Sequence, residues 1–511
     1  MNSIVKLSGD GLTLAQLVQV ARAGAGVELD ENALSRVDAA RACIDHRIKS
    51  GKSFYGINTG FGALSNVRIA DDKLEELQLN LIRSHACAVG DPLPDDVVRA
   101  VLTLRIQTML RGNSGVRRHT IELMRDCINH NIIPVVPKRG SVGASGDLAP
   151  LAHIALALVG EGLVRYKGRV TPGADALRAE GLTPLSPGPK EGLCLINGTQ
   201  VMTAIGLLLC QDTKNLLVSA DIAAGMTIDA TKGTPVAFDE RIQKARPHPG
   251  QAVCASNLRT ILSNSAIRQS HKDCDRVQDP YSLRCVPQVH GAVRDAFAHV
   301  LEKLLIEANS STDNPMVFVD DDEIISGGNF HGEPVALVLD YLAIALTDLA
   351  NISERRIEKL VNPHMSGLAP FLARDPGLNS GYMIPQVVAA ALASENKIFA
   401  HPASSDSIPT SAEKEDHVSM GMNAALKLQR IVKNLAYIIS IEILTSADAL
   451  EMLKPLSGGR GVVAGLEKVR ENIPPMERDR SLSIEIEGLA AQVLSGEFFD
   501  HVQNALEGGL N

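Results

Sequence analysis

Helical periodicity dominates the pattern of apolar and polar positions along the chain. Apolar residues recur at spacings of three and four in three segments, 74–89, 97–109 and 119–128, which is typical of helices with one buried face. Three longer runs are apolar on most of their circumference: 199–230, 333–360 and about 417–453. Such a helix must be buried on several sides. The pattern predicts a bundle of long helices, some of them buried against partner subunits.

Strand patterns are short and few. They fall at 131–136, at 163–166 with 169–171, and at 316–319 followed by 323–325. The turn Lys167-Gly168 predicts a hairpin between the second pair. The predicted fold class is therefore mainly α, with a long-helix bundle and a smaller mixed α/β N-terminal part.

The same pattern predicts three domains. We expect an N-terminal mixed domain over 1–195, which carries a glycine-rich loop, and a central long-helix bundle over 196–455. Short helices over 456–511 are expected to pack on the outside.

Composition narrows the class of protein. The 511 residues are 45% apolar and 21% charged, with a net charge of −9 and no basic tract, which argues against nucleic acid and anionic membranes as partners. The eight cysteines have no CxxC spacing, as expected for free thiols in a reducing compartment. We find no apolar signal region and no run of roughly 18 uncharged apolar residues. A soluble cytoplasmic protein is predicted.

Two segments hold residue types that ligate metals. They are 271–275, which reads HKDCD, and 413–417, which reads EKEDH. Neither has the spacing of a His-x₃-His or CxxC metal site. No metal is predicted.

The stretch SVGASGDLAP at 141–150 has three possible explanations: a tight turn into a helix, a phosphate cradle, or backbone chemistry. No Lys follows Gly146 as a Walker loop requires, and the order of elements is wrong for a dinucleotide fingerprint. Phosphate binding is thus disfavoured, while a simple tight turn into a helix remains a possible explanation.

The chemical explanation rests on Gly146, whose missing side chain lets its amide nitrogen approach the Ala144 carbonyl. Attack there closes a five-membered ring, and loss of water gives an imidazolone. Loss of the Ser145 hydroxyl as a second water leaves an exocyclic methylidene. The product is an electrophile, which no ordinary side chain supplies, and Asp147 could help to move protons.

Seven segments in one order resemble the aromatic amino acid ammonia-lyases. They are YGINTGFG, SHA, ASGDLAP, NGTQ, QDPYSLR, SGGNFH and EDHVSM, and the resemblance runs from Val5 to Leu494. It implies a 4-methylidene-imidazol-5-one (MIO) group formed from Ala144, Ser145 and Gly146, with no dissociable cofactor. It also implies a fold like that of the fumarase and aspartase group, and a homotetramer whose active sites draw loops from several subunits.

Within the family, the details resemble the branch that acts on histidine. His85 in SHA, the segment 406–420 and Met383 carry this likeness, whereas phenylalanine and tyrosine lyases usually have Asn-Gln-Asp at 414–416. The implied reaction is the conversion of L-histidine to trans-urocanate and ammonia, the first step of histidine degradation. Glu413-Lys414 and His290 depart from the common pattern. A tyrosine or phenylalanine lyase, a 2,3-aminomutase and a non-catalytic helical assembly remain as alternatives.

The resemblance also implies catalytic roles for single residues. Tyr55 is the expected base for the β-proton, although a structural tyrosine is the plain alternative. Arg284 suits the substrate carboxylate because its planar fork binds two oxygens, and the alternative is a surface ion pair. Tyr281 is expected to assist both ring formation and catalysis.

The remaining assignments concern binding. Asn197 and Gln278 are expected to donate hydrogen bonds to the MIO oxygen and the substrate, although Asn197 would also serve as a helix N-cap. Phe330 is expected to shield the ring. Glu415 could accept a hydrogen bond from an imidazole N–H, with His85 as a second contact and Met383 as an apolar wall. Otherwise Glu415 and Asp416 are a charge pair at a helix start.

Overall fold

The computed structural model describes residues 3–49, 53–272 and 277–511. Helices make up 59% of the chain and strands 8%, so the mainly α fold class is confirmed. The chain forms two compact units, each discontinuous in sequence. The division into 1–195, 196–455 and 456–511 stays a prediction.

The first unit comprises Met1–Leu208, Leu301–Leu339 and Pro402–Leu426. Its complete helices are α1 (Leu14–Ala21), α2 (Glu31–Ile48), α3 (Leu74–His85), α4 (Asp95–Leu110), α5 (Arg118–Asn129), α6 (Leu148–Leu158), α7 (Gly173–Ala179) and α8 (Glu191–Ile196). Its strands are β1 (Ile4–Leu7), β2 (Gly26–Leu29), β3 (Val89–Pro92), β4 (Ile133–Pro134), β5 (Pro137–Arg139), β6 (Leu163–Tyr166), β7 (Arg169–Pro172), β8 (Met316–Phe318) and β9 (Glu323–Ile325).

The second unit comprises Leu209–Val300, Asp340–His401 and Lys427–Asn511. Its complete helices are α10 (Glu240–Ala245), α11 (Pro249–Ile261), α12 (Ala266–Gln269), α13 (Tyr281–Arg284), α16 (Pro363–Ser366), α17 (Met383–Phe399), α19 (Arg460–Arg470), α20 (Ser483–Ser495) and α21 (Glu497–Asn504). Four of the five boundaries of the units fall within long helices: α9 (Gln200–Ala230), α14 (Val286–Ala308), α15 (Glu333–Val361) and α18 (Gly421–Glu451). The fifth lies between His401 and Pro402.

The strands form small sheets in the first unit. β1 pairs with β2 in parallel, β3 pairs with β5 antiparallel, and β8 pairs with β9 antiparallel. β4, β6 and β7 form a three-stranded antiparallel sheet in that order. The predicted hairpin is confirmed: Lys167 and Gly168 both have positive φ between β6 and β7, as a two-residue turn requires.

The core of the first unit is built around α4, which is buried from Val97 to Leu110. Local signals fix other helix starts. Thr13 accepts a hydrogen bond from the Gln16 amide and forms a capping box at α1, and Asp30 accepts from the Ala33 amide at α2. Such caps satisfy amides that have no partner inside the helix.

The core of the second unit contains a buried polar network. Arg356 and Glu442 are both fully buried, and two nitrogen–oxygen contacts of 2.5 and 2.9 Å join them. His290 Nδ1 lies 2.8 Å from Asp221 Oδ1, and its Nε2 lies 3.3 Å from Arg356 Nη1. The ligand-type atoms of Asp221, Cys254 and His290 lie within 4.8 Å of one another, and hydrogen bonds within the protein engage each of them.

Two helices, α9 and α15, are long and apolar enough to cross a membrane by length and composition. Within the protein, 83% of the most apolar window of α9 and 61% of that of α15 are buried. Burial to this extent is what the core helices of a globular protein show.

Candidate active site

The loop 141–147 leaves β5 and enters α6, and its conformation requires glycine. Gly143 and Gly146 have φ values of +74° and +75°, a region that other residues rarely adopt. A Cβ at Gly146 would lie 2.0 Å from the carbonyl oxygen of Gly198. No side chain fits in that gap, so the backbone of Ala144-Ser145-Gly146 lies directly against a second stretch of backbone.

That second stretch, Asn197-Gly198, places donors on the Ser145 carbonyl. The Gly198 N–H donates to the Ser145 oxygen at 3.1 Å. Asn197 is assigned the amide orientation that satisfies both of its polar atoms: Nδ2 then donates to the same oxygen at 3.1 Å, and Oδ1 accepts from the Asn314 N–H at 2.9 Å. The opposite orientation would direct Nδ2 to Asp313 Oδ1 at 3.3 Å. Two preorganised donors on one carbonyl oxygen stabilise negative charge that develops there.

A buried ion pair between Lys190 and Asp313 adjoins the segment that carries Asn197. Lys190 Nζ donates to Asp313 Oδ2 at 2.9 Å and to the Ser114 carbonyl at 2.7 Å. Although burial opposes charge on both groups, each partner's charge holds the pKa of Lys190 above and that of Asp313 below its ordinary value. Arg105, also buried, donates to the Asn197 carbonyl at 2.8 Å. These contacts fix the backbone on which Asn197 is carried.

Asp147 closes the loop at its other end. Oδ1 accepts from the Ser141 hydroxyl at 3.1 Å, and Oδ2 accepts from the amides of Val201 and Met202 at 2.9 Å each. Those amides belong to the first turn of α9, where orphan N–H groups and the helix dipole favour an anion. Burial dominates nevertheless and raises the pKa of Asp147 to about 6.

The raised pKa of Asp147 predicts a pH-dependent contribution to stability. Unfolded Asp ionises near its ordinary value, whereas the folded chain holds the proton until about pH 6, so the contribution falls as pH rises between about 4 and 6. We expect the unfolding free energy of the wild type, relative to Asp147→Asn, to drop by about 3 kcal/mol across this window. Thermal unfolding of both proteins at several pH values measures it, and a pH-independent difference would contradict it.

Glu415 reaches the loop from a tight turn. Its Oε1 lies 3.3 Å from the Ser145 Oγ, and its Oε2 accepts from the Thr410 hydroxyl at 2.6 Å. Thr410 and Glu415 also exchange backbone hydrogen bonds of 2.9 and 3.3 Å. The turn between them has positive φ at Ser411, Ala412 and Glu413, so the carboxylate is held on a constrained hairpin.

A cavity of about 640 Å³ in the first unit collects the predicted residues of that unit. Its lining includes Tyr55, His85, Ser145, Asn197, Phe330 and Glu415, with Ala144 and Gly146 flanking Ser145 in the chain. A cavity of this size holds a small molecule. The structure therefore brings eight of the twelve predicted site residues to one place, while their roles stay predictions.

Tyr55 and His85 also have defined hydrogen-bond partners. The Tyr55 Oη accepts from the Gly62 N–H at 3.4 Å. His85 Nδ1 lies 2.9 Å from the Leu81 carbonyl and 3.0 Å from the Ser84 hydroxyl. Since the carbonyl can only accept, we assign the proton of the neutral ring to Nδ1. Burial lowers the pKa of His85, although the backbone hydrogen bond and Glu415 oppose this shift. A neutral imidazole with a proton on Nδ1 leaves Nε2 as an acceptor.

The other four predicted residues belong to the second unit. Gln278 and Tyr281 are exposed, and Tyr281 is 71% exposed. The Arg284 guanidinium lies 4.5 Å from the centre of the Tyr281 ring, and its Nε donates to the Asp279 carbonyl. Met383 begins α17. Their part in a site stays a prediction.

Several site residues escaped the sequence analysis. Lys190 and Asp313 carry no local signal, because they are distant from each other in sequence. Thr410 lies in the segment 406–420 that carries the family likeness, but its contact with Glu415 depends on a turn of unusual φ. Leu77, Leu81 and Ser84 line the same cavity as His85. Their spacings of four and three along α3 place them on one face, and this signal was available.

Comparison with known proteins agrees with this geometry. The sequence model of the family described as "Aromatic amino acid lyase" matches residues 12–471. The histidine ammonia-lyase of Stigmatella aurantiaca is 50% identical over 504 residues, which cover 99% of both chains. That of Myxococcus xanthus is 50% identical over 501 residues, covering 98% of this chain and 99% of the relative.

Solved structures give the same result. The histidine ammonia-lyase from Trypanosoma cruzi superposes with a TM-score of 0.92 and 41% identity, covering 99% of this chain and 96% of that one. The tyrosine aminomutase from Streptomyces globisporus has a TM-score of 0.94 and 35% identity, covering 99% and 100%. The chain belongs to the aromatic amino acid lyase family.

Proposed function

We propose that the protein is a histidine ammonia-lyase, which eliminates ammonia from L-histidine to give trans-urocanate. The observation that carries the proposal is the cavity in which Ser145, Tyr55, His85 and Glu415 meet. The histidine ammonia-lyases at 50% identity over nearly the full length support the same substrate.

The loop fits the MIO group that the family implies. Gly146 approaches Gly198 too closely for any side chain, and the Ser145 oxygen, which becomes the ring carbonyl, has two donors. When formed, the group supplies an electrophile that captures the substrate amine. The donors from Gly198 and Asn197 would hold the charge that develops on the oxygen.

Substrate selection is assigned to Glu415 and His85. A carboxylate at Glu415 accepts a hydrogen bond from an imidazole N–H, whereas a phenyl ring offers no donor and leaves a partly buried charge unpaired. Neutral His85 adds an acceptor nitrogen at the same cavity. Phe330 forms an apolar wall.

Tyr55 is assigned as the base that removes the β-proton. Its Oη lines the same cavity as Ser145 and accepts from the Gly62 N–H at 3.4 Å. Arg284 is assigned to the substrate carboxylate, Gln278 and Tyr281 to hydrogen bonding, and Met383 to the pocket wall. These four residues belong to the second unit, and family resemblance suggests that they serve a site shared between subunits.

A homotetramer is part of the proposal. On α17, Ile384, Val387 and Val388 are 59%, 52% and 41% exposed, and nearby in sequence Leu378 is 85% exposed. Exposed apolar side chains of this kind are stabilised when association covers them. Light scattering of the purified protein measures the mass, and a dissociated monomer is expected to be inactive.

Incubation with L-histidine tests the proposed activity. We expect rising near-ultraviolet absorbance from urocanate with equimolar ammonia, and an intact mass short of two waters. The absence of Trp keeps the protein's own absorbance low. The seven described cysteines are free, which supports a reducing, cytoplasmic setting.

Control substrates distinguish the alternatives. L-tyrosine and L-phenylalanine are expected to react far more slowly than L-histidine. A β-amino acid product with little free ammonia would identify an aminomutase instead. A full intact mass together with no activity would refute the lyase proposal.

A further inference from the structure

The Ser145 hydroxyl has a single hydrogen-bond partner among the residues that the structure describes. That partner is Glu415, whose Oε1 lies 3.3 Å from the Oγ. Thr410 holds the other carboxylate oxygen at 2.6 Å. The unprocessed chain thus already aims a fixed carboxyl group at the oxygen that must leave.

Forming the MIO group from Ala144-Ser145-Gly146 requires the loss of two waters. The first oxygen comes from the Ala144 carbonyl when the Gly146 nitrogen attacks it. The second is the Ser145 hydroxyl, a poor leaving group unless it is protonated as the Cβ–O bond breaks. The second step therefore needs an acid at Oγ.

The other half of the second step is already provided. The Cα hydrogen of Ser145 leaves as a proton, and its electron pair is delocalised onto the Ser145 carbonyl oxygen. That oxygen accepts from the Gly198 N–H and the Asn197 amide at 3.1 Å each. Both donors stabilise the enolate and so raise the acidity of the Cα hydrogen.

We propose that Glu415 is the general acid that removes the Ser145 hydroxyl during maturation of the MIO group, with Thr410 as its positioning residue. The Glu415 carboxyl gives its proton to Oγ as the Cβ–Oγ bond breaks, and water leaves. The Cα–H electron pair becomes the Cα=Cβ bond. The proton released from Cα restores the carboxyl, so the step is balanced without an oxidant or any other reactant.

Asp147 is the neighbouring acid, and its geometry disfavours it for this step. Its Oδ1 accepts from Ser141 and its Oδ2 from two amides of α9. Both oxygens are thereby already engaged as acceptors. The described residues place Glu415, and not Asp147, in hydrogen-bond range of Oγ.

The inference rests on the proposed function, and maturation is measured by mass, independently of turnover. Full-length chains are produced by cell-free synthesis, sampled over time and weighed intact. The wild type is expected to lose two waters. Glu415→Gln keeps the size of the side chain but removes the acid proton, and we expect the two-water species to form at least ~100-fold more slowly, leaving a chain short of at most one water.

Matched variants separate acid catalysis from folding. Glu413→Gln makes the same change at an exposed position of the same turn and should mature at the wild-type rate. Thr410→Val removes the hydroxyl that holds Glu415 and should slow maturation, while Thr410→Ser should restore it. Circular dichroism verifies that each variant is folded.

The outcomes are distinct. If Glu415→Gln loses two waters as fast as the wild type, or if Thr410→Ser matures as slowly as Thr410→Val, the proposed role is overturned. A wild-type chain of full mass would instead show that the proposed function itself fails. Retention of the Ser145 hydroxyl in folded Glu415→Gln supports the role.

Discussion

Replacing Gly146 by alanine is expected to abolish both maturation and activity. The new Cβ would lie 2.0 Å from the Gly198 carbonyl oxygen and 2.2 Å from its carbon, far inside van der Waals contact. Because both atoms belong to the backbone, no side-chain rotation relieves the clash. The loop must move away from Gly198, so the Ser145 carbonyl loses its donors. Intact mass should show the full chain, and L-histidine turnover should be undetectable.

Gly168→Ala is the matched control for this experiment. Gly168 has the same φ of +75°, but a Cβ there would meet no atom within 4 Å. Both substitutions therefore introduce the same backbone strain, about 1–2 kcal/mol. Only Gly146→Ala adds a steric clash. We expect normal mass loss and activity from Gly168→Ala. A mature, active Gly146→Ala protein would show that contact with Gly198 is dispensable.

Removing the charge of Lys190 is expected to have the largest effect on stability. Lys190→Met leaves Asp313 buried and unpaired, and breaking a buried ion pair in this way costs about 3–5 kcal/mol. Lys190 is fully buried and the Asp313 side chain is 2% exposed, so water cannot replace the lost partner. Because the pair supports the segment that carries Asn197, maturation should slow as well. Thermal unfolding and intact mass measure the two effects.

A double variant and a surface pair test this explanation. Lys190→Met with Asp313→Asn removes both charges and should recover most of the lost stability. Lys244→Met breaks an ion pair with Glu240 in which the two side chains are 72% and 63% exposed, and should leave the unfolding free energy nearly unchanged because water replaces the lost partner. Equal losses from Lys190→Met and Lys244→Met would contradict the argument.

Much of the fold was predictable because helices leave a periodic record in the sequence. The predicted runs 97–109, 199–230 and 333–360 correspond closely to α4, α9 and α15. Two ends were wrong. α3 ends at His85 and not at residue 89, because the backbone leaves helical geometry at Ala86. α18 begins at Gly421 and not near 417, because Met420 has a positive φ of 55°.

Helices α14 and α17 were missed, although both contain regular apolar spacing. The strand predicted over 131–136 is reduced to Ile133–Pro134 in β4. Sheet pairing depends on partners elsewhere in the chain, so a short apolar run alone does not define its length.

The part of the site whose chemistry depends on consecutive residues was predictable from the sequence. Ala144, Ser145 and Gly146 could be identified because ring closure needs neighbouring backbone atoms. Thr410 could not, since its role depends on a hairpin with three residues of positive φ. The partnership of Lys190 with Asp313 spans 123 residues of sequence, and no local pattern records it.

The contact between Gly146 and Gly198 limits how far this chemistry can be transplanted. Grafting ASGD onto a loop of another protein would carry over the atoms that close the ring. It would leave behind the Gly198 N–H and the Asn197 amide, which arrive from a separate segment of the chain. A designed scaffold would therefore need two facing backbone segments, each with a glycine at the point of contact. The smallest unit that could be transferred is this pair of segments and not a tetrapeptide.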